Sequence, residues 1–219
     1  MGKSRITTAE VCYNSPMPTI GLTGNFGMGK TSVLSLFRKS GAHVFDVDKF
    51  VHNILEKPET IRKISLFLGK DILIKKPGGI SIDKPRVAQI IFHDPAKRKA
   101  VEKIIHPQVL KMMKEAESGI LKKKPSALIV FEVPLLFEAG YEIFFDKTVV
   151  VYCRRDLAIK RLARKGFSAD EASGRLRAQM SVTRKKKLAD FVIDNSYDIG
   201  RTEKQVKRIL GKIRHIPSY

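Results

Sequence analysis

The sequence predicts an α/β protein built on a parallel five-stranded sheet flanked by helices. Three observations point to it. Short runs at 18–23, 43–47, 126–132, 147–152 and 191–194 read as strands, and those at 126–132 and 147–152 are continuously apolar, as in parallel strands covered on both faces. The stretches between them carry apolar residues at helical spacing. Between the first strand and the first helix stands Gly24-Asn25-Phe26-Gly27-Met28-Gly29-Lys30-Thr31, which fits G-x-x-x-x-G-K-[ST].

Each residue type in that loop has a physical task. Glycines permit positive φ and remove Cβ atoms, so backbone N–H groups can converge on phosphate oxygens. The helix that follows, with Val33, Leu36 and Phe37 at helical spacing, aims its partially positive N-terminus at the same anion. Lys30 is expected to reach the β- and γ-phosphates of ATP, and Thr31 to offer its hydroxyl to Mg²⁺. Gly24 to Thr31 is therefore the expected ATP-binding loop of a P-loop NTPase fold.

The chain has 219 residues, 43% of them hydrophobic, which suits one α/β domain with an inserted or appended subdomain. No apolar run approaches the roughly 20 residues that span a membrane. Met1 to Pro16 lacks the apolar stretch of a signal peptide, and 1–17 is expected to be a flexible extension. Cys12 and Cys153 form neither metal spacing nor a disulfide framework, and a cytoplasmic location is expected. The 42 Lys and Arg against 22 Asp and Glu give a net charge of +20, which attracts polyanions: nucleic acid, or a small substrate rich in phosphates. Runs such as Lys122-Lys123-Lys124 and Arg184-Lys185-Lys186-Lys187 have little aromatic interleaving. They read as solvated faces, and nucleic acid is not the expected partner. The sequence does not set an oligomeric state.

After the first helix, Gly41 reads as a helix C′ residue. The strand His43 to Val47 ends in Asp46-Val47-Asp48, which brings a carboxylate to the edge where open α/β sheets bind ligands. From 49 to 124 the pattern is helical, broken at Lys57-Pro58 and Lys76-Pro77-Gly78-Gly79, and looks like a substrate-covering insertion. Its apolar faces are Ile61, Ile64, Leu66, Phe67 and Leu68, then Val87 to Phe92, then Val101 to Met113. A basic helical lid is expected over 154–187, with a capping box at Ser168 and Glu171 and one helix from Ser168 to Leu188. A closing helix is expected from Thr202, its N-cap, to Lys212, so that the core comprises 18–48, 125–153 and 188–219.

Phosphoryl transfer needs positioning and charge neutralisation more than covalent chemistry. Beyond the loop and Mg²⁺ it needs a group that orients the acceptor and cations around the γ-phosphoryl. Asp48 is the candidate for the acceptor; Asp46 competes, since alternation along the strand would turn both to one side, and capping the next helix is the alternative role for either. Among the arginines after the fourth strand, Arg161 and Arg175 are chosen for the phosphates.

The order of motifs resembles the dephospho-coenzyme A kinase family. The matching pieces are Gly21-Leu22-Thr23-Gly24 running into the loop, Asp46-Val47-Asp48, Phe92 with Asp94-Pro95, and Ile105-His106-Pro107. Then come Val133-Pro134-Leu135-Leu136-Phe137-Glu138, Arg161-Leu162-Ala163-Arg164, Arg175 with Gln179, and Ala189 to Asn195. The similarity spans about 18–212. It implies that ATP phosphorylates the ribose 3′-hydroxyl of dephospho-CoA to give coenzyme A and ADP, the last step of coenzyme A synthesis. It implies three parts: a nucleotide core, a helical CoA-binding domain and a lid. Catalysis would fall to Asp48, Lys30 and Arg161, and the acceptor to Asp48, His106, Leu136 and Phe137. The family has small residues where this chain has Asn25 and Met28, and only their backbone N–H groups are expected to matter. Another P-loop nucleoside or nucleotide kinase is the nearest alternative. A basic nucleic-acid-binding NTPase is a more distant one, because no Asp closes the strand 126–132.

Overall fold

The computed structural model describes residues 18–77 and 79–214. The expected extension 1–17, with Cys12, lies outside the described residues, as does Gly78 of the expected break. The chain divides into two units, one of them Asp46–Gly119 and the other the chain up to Phe45 and from Ile120 onward.

The larger unit is a five-stranded parallel sheet with helices on its faces. Its strands are β1 (Thr19–Thr23), β2 (His43–Asp46), β5 (Ile129–Glu132), β6 (Lys147–Tyr152) and β7 (Phe191–Asp194), in the order β2-β5-β1-β6-β7. All five residues of β1 are buried, because β5 and β6 flank it and helices cover it. The register sets Leu22 beside both Glu132 and Val149. Helix α1 (Lys30–Lys39) buries Val33, Leu34, Leu36 and Phe37 in one cluster with Val206, Ile209, Leu210 and Ile213 of the closing helix (Ile199–Arg214). Gly41, at φ 91°, follows the Ser40 cap of α1 as a left-handed residue.

The smaller unit holds α2 (Val47–Leu55), α3 (Pro58–Leu68), the hairpin β3 (Leu73–Lys76) and β4 (Gly79–Ile82), α4 (Lys84–His93) and most of α5 (Pro95–Leu121). Its core joins Ile61, Ile64, Leu68, Ile72, Ile82, Val87 and Val101. Leu66, Phe67 and Phe92, assigned to apolar faces from the sequence, are 75%, 60% and 69% exposed. Leu66 and Phe67 fall off the stripe that Ile61, Ile64 and Leu68 complete on α3, and Phe92 falls off the Val87, Ile90, Ile91 stripe of α4. The hairpin replaces the expected break at 76–79, its register running from Leu73–Ile82 to Lys76–Gly79. Helix α5 runs through Pro107, so His106 is mid-helix. The proline leaves the Lys103 carbonyl without its helical donor, while Val101, Val109 and Met113, buried on either side, hold the helix together.

Three further boundaries differ from expectation. β2 stops at Asp46, whose Oδ1 accepts the Asp48 N–H at 3.0 Å and caps α2, so the two aspartates are not alternating strand residues. The expected helix 168–188 is two helices, α7 (Ala169–Ala178) and α8 (Val182–Leu188); Gln179 is extended and Ser181 caps the second. The Ser168–Glu171 capping box is present. The closing helix, α9 after α6 (Arg155–Ala163), α7 and α8, begins at Ile199, since Asp198 Oδ1 takes the Arg201 N–H at 2.9 Å. Thr202 is buried inside it instead of capping it.

Candidate active site

The loop Gly24–Met28 leaves the carboxyl end of β1, and Gly29 caps α1 in the left-handed region at φ 86°. A Cβ at Gly29 would collide with the Asn195 carboxamide, and one at Gly24 with the Val151 carbonyl. Those contacts, as much as φ, demand glycine at the two positions. Lys30 is the first residue of α1, and its Nζ lies 4.0 Å from Glu132 Oε1. The β1–β5 register makes that pairing, and Glu132 is the acid that closes the strand where no Asp was found. Thr31 follows, exposed at the helix N-terminus.

A buried polar ring fastens the far side of the loop. Asn195 Nδ2 donates to the Met28 carbonyl at 3.0 Å, and Asn195 Oδ1 accepts from Thr202 Oγ1 at 3.1 Å. Arg161 donates to the Asn195 carbonyl at 2.9 Å and the Met28 carbonyl at 3.4 Å. The Met28 sulfur lies 3.1 Å from the Cys153 N–H and 3.6 Å from Cys153 Sγ. Burial pushes the Cys153 thiol up, so it stays neutral packing beneath the loop. Met28 thus contributes its side chain as well as its backbone.

Asn25 does the same. It is 3% exposed, and its Nδ2 donates to the Met180 carbonyl at 3.0 Å. The Phe26 N–H donates to Gln179 Oε1 at 2.9 Å. The Phe26 ring meets Phe167 edge-on, and the Arg175 guanidinium lies 5.1 Å from the centre of one ring and 4.8 Å from the other. Met180 N–H reaches Glu138 Oε1 at 3.0 Å, and the same oxygen pairs with Lys185 Nζ at 2.9 Å. Lys185 is fully buried and also donates to the Pro134 carbonyl at 3.2 Å, which accepts from Thr23 Oγ1 at 3.0 Å as well. A buried lysine is tolerated only with such partners.

Of the residues expected to act, the structure brings together the loop, Lys30, Thr31, Arg161 and, through Phe26, Arg175. Leu136 and Phe137, expected against substrate, are instead 0% and 7% exposed. The Leu136 side chain packs on Gly21 and so supports β1, and Phe137 is buried as well. Asp48, exposed in the first turn of α2, and His106, half-buried in α5, belong to the smaller unit. Sequence reasoning missed the side-chain roles of Asn25, Met28 and Lys185. Gln179, Glu138 and Asn195 stood in quoted motifs, but nothing local showed what they touch.

A five-stranded parallel sheet with a glycine loop wrapped at the start of α1, and a lysine as that helix's first residue, defines a nucleotide-using P-loop kinase. A family model described as dephospho-CoA kinase matches residues 18–200. The chain therefore belongs to the dephospho-CoA kinase family. It is 35% identical over 202 residues to the dephospho-CoA kinase of Aquifex aeolicus, covering 92% of this chain and 100% of that one. To that of Carboxydothermus hydrogenoformans it is 38% identical over 200 residues, covering 90% and 94%. A crystal structure from Thermus thermophilus superposes with a TM-score of 0.75 at 31% identity, covering 89% of this chain and 96% of that one. Dephospho-CoA kinase from Campylobacter jejuni does so with 0.62 at 28% identity, covering 90% and 96%.

Proposed function

We propose that the chain transfers the γ-phosphoryl of ATP to the ribose 3′-hydroxyl of dephospho-CoA, releasing ADP and coenzyme A. The observation that carries this is the loop held rigid at both ends: Lys30 at the start of α1, with Gln179 on one flank and the Asn195–Arg161 ring on the other. Backbone N–H groups fixed before substrate arrives need no reorganisation when charge develops on the phosphates. Lys30 supplies a cation for the β- and γ-phosphates. Arg161 braces the loop through two carbonyls, and Arg175, stacked on the half-buried Phe26 and Phe167 rings, is placed to turn toward phosphate. Asp48 orients the 3′-hydroxyl and takes its proton as the bond to phosphorus forms. His106 lines the acceptor's path, the helical insertion receives the pantetheine arm, and residues 154–187 act as the lid.

Mg²⁺ fits the donor set: the described residues hold no cluster of three or more His, Cys, Asp or Glu that would cage an ion. Magnesium draws instead on one or two side chains, phosphates and water, and Thr31 with Glu132 would serve. When bound it neutralises charge on the phosphate oxygens. Among the described residues no helix is long and apolar enough to cross a membrane. The charge of +20 suits a substrate with several phosphates in the cytoplasm, with no role for nucleic acid.

The test is ADP release with Mg·ATP and dephospho-CoA, run beside adenosine and AMP as acceptors. Turnover confined to dephospho-CoA is expected. Turnover with adenosine or AMP alone would keep the kinase and overturn the acceptor.

A further inference from the structure

The Arg175–Gln179 pair stood in the sequence without a task for the glutamine. In the structure Gln179 is the first residue of the break between α7 and α8, and its carboxamide is used by halves. Oε1 accepts the Phe26 N–H at 2.9 Å, while Nε2 has no hydrogen-bond partner among the described residues. A carboxamide is planar, so locking Oε1 on the loop leaves Nε2 as an oriented donor beside the loop's backbone amides. Gln179 cannot drift from that place. Its neighbour Met180 is held by the Asn25 side chain through its carbonyl and by Glu138 through its N–H, both at 3.0 Å. Glu138 is in turn fixed by the buried Lys185 at 2.9 Å. The two helices, α7 ahead and α8 behind, are thereby pinned to the phosphate loop at two adjacent residues, Gln179 and Met180.

We propose that Gln179 is a catalytic residue that donates from Nε2 to the terminal phosphoryl group of the bound nucleotide. The Phe26 amide selects which end of the carboxamide faces the phosphate. A neutral donor there suits phosphoryl transfer: it stabilises charge on a γ-oxygen without competing with Lys30 for Glu132 or with Arg161 for the Met28 and Asn195 carbonyls. ADP, which lacks the γ-phosphoryl, gains nothing from it. The proposal rests on the kinase reading above and deepens it at this loop.

Two variants separate a donor from a brace. Gln179→Glu keeps an oxygen to accept the Phe26 N–H but removes the N–H donor. Gln179→Met removes both and keeps the length. With Mg·ATP and dephospho-CoA, both variants are expected to lose at least tenfold in kcat. ADP affinity, read by titration calorimetry, is expected within threefold of the parent for Gln179→Met, with ATP affinity weakened more than that. Recovery of parental kcat in Gln179→Glu would overturn the proposal and leave Gln179 as a brace. Equal weakening of ADP and ATP in Gln179→Met would overturn it too, since the loop itself would then have been disturbed. If the parent binds ATP but does not phosphorylate dephospho-CoA, the acceptor reading fails, while the ATP-against-ADP difference in Gln179→Met still decides the role of Gln179.

Discussion

The two units are held together by different means. The sheet unit is stitched around its phosphate loop by polar bonds that reach far along the chain: Asn195 to Met28, Asn25 to Met180, Gln179 to Phe26, Lys185 to Glu138. The helical unit rests on an apolar cluster, with polar links across its helices such as Thr60 to Gln108, the Gln108 Nε2 donating to Thr60 Oγ1 at 3.2 Å. Apolar packing tolerates exchange of similar volumes, whereas a hydrogen-bonded ring is intolerant of losing one member. The sheet unit is thus built to hold backbone donors still. The helical unit carries the polar candidates Asp48 and His106 on α2 and α5.

The largest effect should come from the sheet unit. Lys30→Ala removes the loop's cation and leaves Glu132 beside the phosphates without that partner. A fall in kcat of about 10³-fold is expected, the range for deleting one preorganised charge-stabilising group. Steady-state ADP release measures it, and a fall of less than tenfold would remove Lys30 from its role. Next is Asp48→Asn, which asks whether the helical unit contributes chemistry. A fall in kcat of about 10²-fold is expected, with ATP affinity unchanged. Near-parental turnover would make the comparison sharper, confining the chemistry to the sheet unit.

How much of this could be seen in the sequence follows the same division. The glycine loop, β6 at 147–152 and β7 at 191–194 are local signals, and the structure sets them where the pattern did. The bonds that hold the loop are not local. Asn25 meets Met180 across 155 positions and Asn195 meets Met28 across 167, so no window of sequence contains both partners. Asn25 looked like a passive departure because its side-chain partner is the break between α7 and α8, itself hidden inside a continuous basic pattern. The burial of Leu136 and Phe137 was illegible for another reason. An apolar pair at a strand's carboxyl edge reads the same whether it is open to a ligand or packed inside, and here both side chains are buried. The hairpin at 73–82 was lost because a Pro-Gly break also ends helices.

Asn195→Ala breaks the ring without touching the phosphate contacts. It leaves Thr202 Oγ1 only the Asp198 carbonyl at 3.3 Å on one side and leaves the Met28 carbonyl only Arg161 on the other. Losing two buried hydrogen bonds costs about 1–3 kcal/mol, and the urea midpoint should fall accordingly. A change as small as that of an exposed substitution would show that the loop's shape owes little to the ring and would dissolve the contrast between the units.

The smallest effect tests the sheet unit away from its loop. Asp190 ties the start of β7 to β6: its Oδ2 accepts from the Thr148 N–H and Oγ1, both at 2.8 Å, and Lys147 lies nearby. Burial alone would raise this carboxyl, but the two Thr148 hydrogen bonds and the Lys147 charge outweigh it and hold the group below the usual carboxylate range. The folded state therefore binds the proton less tightly than the unfolded chain. The stabilisation is fully present above the unfolded value of about 3.9 and is lost as pH falls through the lower folded value. Asp190→Asn should cost about 1 kcal/mol at pH 7, modest because the side chain is partly exposed. Its difference from the parent should shrink as urea titrations are taken from pH 5 toward pH 2. A difference that stays constant over that range would assign the loss to altered packing, and would place Asp190 with the apolar contacts that hold the helical unit rather than with the polar stitching of the sheet.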